Sequence, residues 1–202
     1  TYAFGFLPIR ALILLLSLVS LLGMPFAVLM PVFAKDVFHG GAHTLGFLTA
    51  AAGGGSLIGA LYLASRKTLL GMGRIVPLAA GLFGGGLVLF SLSPVLWVSL
   101  LLLMFIGGGA MVQLALTNTI LQTIVDDNMR GRVMGFFAMS FMGMTPLGSL
   151  LAGVLADRIG APRTLMLGGL CCIVGALLYA RQLPLLKTLI KPIYASKGQI
   201  PA

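Results

Sequence analysis

Glutamate is absent from this 202-residue chain, and its four acidic residues are all aspartate: Asp36, Asp126, Asp127 and Asp157. Charged residues of both signs make up only 8%, aromatics another 8%, and there is a single tryptophan, Trp97. Each shortage excludes something. A soluble helical protein needs a polar face on every helix, and so little charge cannot supply one. The two cysteines, Cys171 and Cys172, are neighbours inside an apolar run and cannot staple distant segments. Asp36-x-x-His39-x-x-x-His43 approaches metal-ligand spacing, but Gly40 and Gly41 between the histidines mark a flexible loop rather than a helical zinc pair. No nucleophile, base and orienting acid can be assembled, so neither a catalytic residue, a metal nor a cofactor is expected.

What remains is apolar. Hydrophobic residues make up 59% and the mean hydropathy is +1.10. Six apolar runs stand out, approximately Ala11 to Phe33, Thr44 to Ala64, Ile75 to Leu92, Val95 to Ile124, Val133 to Ala156 and Thr164 to Ala180. Each is near or above the ~17–25 residues that a bilayer-spanning helix requires. The alternating segments of a membrane barrel do not occur. The breaks carry turn signals at His39-Gly40-Gly41, Gly71-Met72-Gly73, Ser93-Pro94, Arg130-Gly131 and Gly160-Ala161-Pro162. The fold class is therefore an all-α integral membrane protein with six transmembrane helices.

The net charge of +9 comes from 13 Lys and Arg residues against the four aspartates. They lie between apolar runs and form no basic stripe with interleaved aromatics, which points to lipid headgroups and not to nucleic acid. If both termini share one side, that side holds Arg10, Arg66, Lys67, Arg74, Arg130, Arg132, Arg181, Lys187, Lys191 and Lys197. The other side holds only Lys35, Arg158 and Arg163. The bias places both termini in the cytoplasm. The chain begins at Thr1 with no basic segment ahead of a short apolar one, so no cleaved signal peptide is expected.

The runs carry their own punctuation. Pro25 and Pro31 interrupt the first, and neighbouring helices or water must satisfy the carbonyls they free. Gly55 and Gly59, and Gly81 and Gly85, form GxxxG pairs; Gly107-Gly108-Gly109 lies in the fourth run, and Gly148, Ala152 and Gly153 in the fifth. Small residues at this spacing let helix backbones approach, which in lipid replaces the hydrophobic effect as the adhesive. Gly55 to Arg66 reads GSLIGALYLASR and Gly148 to Arg158 reads GSLLAGVLADR, three helices apart and facing opposite sides. That echo suggests an inverted three-plus-three repeat.

These residues resemble a known family. The loop Arg130-Gly131-Arg132-Val133, the run Gly153-Val-Leu-Ala-Asp157-Arg158-Ile-Gly160-Ala-Pro-Arg163 and, more loosely, Gly143-Met-Thr-Pro146-Leu-Gly148 are similar to signatures of the major facilitator superfamily. The signature loop is best known after the second helix of each half; the equivalent here, Ala64-Ser65-Arg66-Lys67, has lost its Asp. The likeness is to the carboxy-terminal six-helix half, nearest to bacterial exporters of the enterobactin-exporter type. It implies an amino-terminal six-helix half as partner, residues 1–10 as the end of an interdomain linker, 11–181 as the bundle and 182–202 as a basic cytoplasmic tail. In that superfamily the first and fourth helices of the half line the substrate cavity. The resemblance therefore implies substrate contact for Ser17, Ser20 and Met24, which share one face of the first helix, and for Gln113, Thr117 and Asn118 on the fourth, with interhelical hydrogen bonding as the competing reading for each single residue.

No Asp, Glu or His falls in the middle of any run, so protons as coupling ion would have to be handled mainly by the missing half. The charged ends offer candidate hinges: Asp126, Asp127, Arg130 and Arg132 before the fifth helix, Asp157 and Arg158 after it. Asp127 is placed to cap that helix, and Arg130 and Arg132 could each form an ion pair there. Arg132 beside Asp126 and Asp127 is the leading candidate for a pair that forms in one state and breaks in another, the alternative being that both arginines only fix topology. The expected function is proton-coupled export of a small amphipathic molecule by alternating access in a bacterial inner membrane. A stand-alone six-helix scaffold, and less readily a membrane enzyme using the Asp/His loop, stay open as alternatives.

Overall fold

The computed structural model describes residues 6–66 and 72–196, with side chains described to Leu186 and at Thr188. Among these residues six helices are long and apolar enough to cross a membrane: α1 (Leu7–Val37), α2 (Ala42–Ala64), α3 (Met72–Leu92), α4 (Leu96–Ile124), α5 (Asp127–Ile159) and α6 (Ala161–Ser196, its apolar part Ala161–Leu186). Among the described residues every regular element is helical. Lys67 and Lys197, counted above for orientation, and Gly71 of the second turn signal lie outside the described residues, as do positions 1–5 and 197–202. Residues 7–10 and 182–196, read from sequence as linker and tail, continue α1 and α6 as helix.

One turn signal misleads. Arg130-Gly131 lies inside α5, and the break falls at Val125 and Asp126. Asp126 takes the N-cap position in extended conformation, with Asp127 in the first turn, where an acidic group meets the positive end of the helix dipole. A single exposed glycine costs a helix only about 1 kcal/mol, too little to stop one that has started well. The cap itself is thus Asp126 and not Asp127, and its side chain makes no capping hydrogen bond.

Proline shapes two helices through π-helical segments. α1 widens at Val19–Gly23, just before Pro25, and again at Phe33–Val37 after Pro31; α5 widens at Met139–Gly143, ahead of Pro146. Pro25 has no N–H to offer the Leu21 carbonyl one turn back. That carbonyl is met instead by Gly148 of α5, which approaches so closely that a Cβ there would collide with it, and Gly168 of α6 stands likewise against the Leu22 carbonyl. Neighbouring helices therefore cover the opened ladder, through glycines.

The same close approaches fix the directions of packing. Gly55 and Gly59 of α2 meet the backbone of Met104 and Gly108 in parallel α4. Gly84 and Gly169 face each other between antiparallel α3 and α6, and Gly109 meets Ala79 and Phe83 between antiparallel α3 and α4. The broadest contacts are α2 on α4, α3 on α6 and α3 on α4; α5 rests mainly on α1 and α6. The first GxxxG pair packs as expected. The second does not: nothing lies within 4 Å of a Cβ added at Gly81 or Gly85, and the packing glycines of α3 are Gly84 and Gly86 instead. Of α5, Gly148 and Ala152 are buried, whereas Gly153 faces open space.

Candidate functional site

Phe83 of α3 marks a level in the bundle. Its ring meets Gly23 of α1 and stands edge-on to Phe26 at 6.1 Å between centroids, while its backbone meets Gly109 of α4. Since α1 runs antiparallel to α6, α6 to α3 and α3 to α4, α1 and α4 are antiparallel. Ser20, three residues before Gly23, and Gln113, four after Gly109, therefore lie on the same side of that level, about 4.5 and 6 Å from it. Both are fully buried, at 0% exposure.

Their polar atoms are unmatched. Ser20 Oγ and both Nε2 and Oε1 of Gln113 are buried without a hydrogen-bond partner. Elsewhere the buried and half-buried hydroxyls of the spans mostly bond back to their own helix. Thr117 Oγ1 donates to the Gln113 carbonyl at 2.8 Å, and Ser17 Oγ donates to the Ile13 carbonyl at 2.9 Å. Gln113 makes no such bond, and Ser20 sits in the π segment, where the local ladder is shifted.

The six residues that the sequence assigns to a cavity thus divide. Ser20, Gln113 and Thr117 are enclosed. Ser17, Met24 and Asn118 are half-buried, and Asn118 Oδ1 accepts from Gln122 Nε2 at 2.9 Å along the same helix. Sequence reasoning passed over Ser140, also buried, in the α5 π segment, which is in contact with the π segment of α1. A signal was present: Ser20-Leu-Leu-Gly23-Met24-Pro25 is matched by Ser140-Phe-Met-Gly143-Met144-Thr-Pro146.

The charged hinges are all exposed. Asp127 pairs with Arg130, Nη2 to Oδ1 at 2.5 Å, and not with Arg132. Helical geometry explains the choice: Arg130 stands about 60° round the helix from Asp127, whereas Arg132 stands about 140° away. A pair within one turn of one helix is made whatever the neighbouring helices do, so it cannot latch one element to another. Asp157 and Arg158 lie at the opposite end of α5, about 45 Å from Asp127. The structure does not bring the two hinges together. Among the described residues no three His, Cys, Asp or Glu side chains gather; His39 and His43 are exposed, His39 in the left-handed region at φ 47° where α1 ends.

The family described as transmembrane secretion effectors matches residues 6–193. The staphyloferrin A transporter of Staphylococcus aureus is 30% identical over 159 residues, which cover 77% of this chain and 39% of that protein. The chain thus spans about two fifths of the length of that curated relative.

Proposed function

The chain belongs to the transmembrane secretion effector family of the major facilitator superfamily, and from that membership we propose that it is one six-helix half of a secondary active exporter. The observation that carries the reading is the unmatched polar group of Ser20 and Gln113 on α1 and α4. In an apolar interior each unpaired polar atom costs about 1–3 kcal/mol. Uncharged polar groups held at that cost inside a membrane bundle suit a site that offers hydrogen bonds to a substrate. With no acid or histidine in the middle of a described span, the site recognises by hydrogen bonding and shape, as a small amphipathic cargo requires.

The packing supports an alternating-access cycle. The site is closed here, and α1 and α5, each widened by a π segment beside a proline, form the joint that yields when it opens. An amino-terminal six-helix bundle completes the transporter and supplies the proton-carrying group; the apolar outer faces of α2 and α5 are available to meet it. Arg132, exposed and outside the Asp127–Arg130 pair, is the hinge residue that meets this partner in one state only. The matched use of Gly55 and Gly148, each pressed on a carbonyl of the helix beside it, supports the inverted repeat. The excess of basic residues on the terminal side supports cytoplasmic termini in a bacterial inner membrane.

Efflux from cells, normalised to inserted protein, tests the reading. A fluorescent amphipathic dye and staphyloferrin A, the cargo in the relative's name, serve as probes. Ser20→Ala and Gln113→Ala in the complete transporter should each lower efflux about tenfold, the loss of roughly one hydrogen bond to substrate. Normal efflux in both would remove α1 and α4 from the substrate path.

A further inference from the structure

α2 and α3 pack on α4 from either side but scarcely on each other. Between them runs a cleft of about 490 Å³. Its floor is the glycine ridge of Gly59, Gly108 and Gly109, and its walls carry Ile58, Leu78, Leu82, Leu101 and Phe105, all exposed. Tyr62 provides the one side-chain hydroxyl in the lining. From Leu101 to Val112 the cleft follows α4 for about 16 Å, close to the depth of one leaflet's hydrocarbon.

One end is charged. Arg66, just past the end of α2, donates from Nη2 to Tyr62 Oη at 2.5 Å, and its guanidinium carbon stands 4.8 Å from the centre of the Tyr62 ring. Hydroxyl and ring hold the cation at the mouth of the cleft. Arg74, exposed, adjoins the lining residue Ile75 at the start of α3. Among the described residues no carboxylate pairs with Arg66, and α2 and α3 contain none.

We propose that this cleft binds one anionic glycerophospholipid, an acyl chain lying on the Gly59–Gly108–Gly109 floor and the phosphate on Arg66 and Arg74. An apolar slot one leaflet deep with cations at one end matches that ligand in length and charge. A headgroup that also bears an ammonium would find no carboxylate beside it. The site is separate from Ser20 and Gln113 and does not depend on the transport reading.

The test is native mass spectrometry of the complete transporter, delipidated and then titrated with phosphatidylglycerol or phosphatidylcholine. The wild type should retain one phosphatidylglycerol in preference to phosphatidylcholine. Arg66→Gln should weaken that retention about fivefold, the ratio expected for one basic residue at a membrane surface. Leu82→Trp should weaken it as much by filling the cleft; if that variant fails to fold, Leu78→Trp, more exposed still, carries the same test. Equal retention of the two lipids, no change in either variant, a second copy of the protein in place of lipid, or displacement of the lipid by the efflux dye would each overturn the proposal.

Discussion

The seam between α2 and α4 and the seam between α5 and α1 are built from the same run of residues but received by different helices. Gly55-Ser-Leu-Ile presses its glycine on the Met104 carbonyl; Gly148-Ser-Leu-Leu presses its glycine on that of Leu21. α4 is regular from Leu96 to Ile124 and returns the approach with glycines of its own, Gly107 against Ala52 and Gly108 against Gly55. α1 is opened by Pro25 and widened at Val19–Gly23, and α5 is itself widened at Met139–Gly143. The same ridge therefore meets a complete hydrogen-bond ladder on α4 and an interrupted one on α1, and on the proposed cycle the second is the joint that yields. Lipid supplies no hydrophobic drive to hold helices together, so on that proposal the completeness of the backbone contact would decide which joint moves.

The comparison can be broken most forcefully at Gly55. Gly55→Leu drives a side chain into the Met104 backbone and should cost about 3 kcal/mol or more, seen as loss of monodisperse protein after extraction. Gly81→Leu, in an equally plausible sequence motif with nothing within 4 Å, should stay within about 0.5 kcal/mol by thermal unfolding. Similar losses in both would mean that the motif and not the contact matters.

A single methyl sharpens the contrast. Gly55→Ala and Gly148→Ala both place a Cβ on a carbonyl, and a yielding α1 seam would absorb it where the α2 seam would not. Gly55→Ala should cost about 2–3 kcal/mol and Gly148→Ala about 1 kcal/mol. The reverse order would sink the idea of a yielding seam. Pro25→Ala returns an N–H to the Leu21 carbonyl and should raise thermal stability by about 1 kcal/mol. Efflux should fall at the same time, because a stiffened α1 no longer yields; a variant that is both stiffer and fully active would contradict the hinge.

The smallest effects belong to the charged end of α5. Arg130→Ala breaks an exposed pair within one helix and should cost less than about 0.5 kcal/mol, with efflux unchanged. Arg132→Ala should leave stability alone yet lower efflux about fivefold, as loss of one state-dependent contact would. Equal efflux in the two variants would reduce Arg132 to a topology marker.

Much of this fold was legible before any coordinates, because spanning helices announce themselves by run length alone. Their ends were less so. α5 starts six residues ahead of its apolar run, since Asp126 and Asp127 begin a helix that Gly131 is too weak to stop. GxxxG spacing located Gly55 and Gly59 but also pointed to Gly81 and Gly85, because spacing gives a face and not what stands opposite it. Ser20 and Gln113 were readable as polar residues on the two inner helices. That they differ from Ser17 and Thr117 was not, because the difference lies in which hydroxyls bond back to their own helix and in a π segment, neither of which has a sequence period. The sequence offered both Arg130 and Arg132 as partners; helical angle gives the pair to Arg130, and the spacing alone could have decided between them.

Gln113→Leu tests the central claim most directly, because structure and function pull it in opposite directions. If the amide is held unpaired for the substrate, replacing it with an apolar side chain of similar volume removes a desolvation cost and should raise thermal stability by about 1–3 kcal/mol. Efflux of dye and of staphyloferrin A should fall at least about tenfold in the same protein. A variant that loses stability while keeping its efflux would show that Gln113 is a structural polar group, and would contradict a substrate site on α1 and α4.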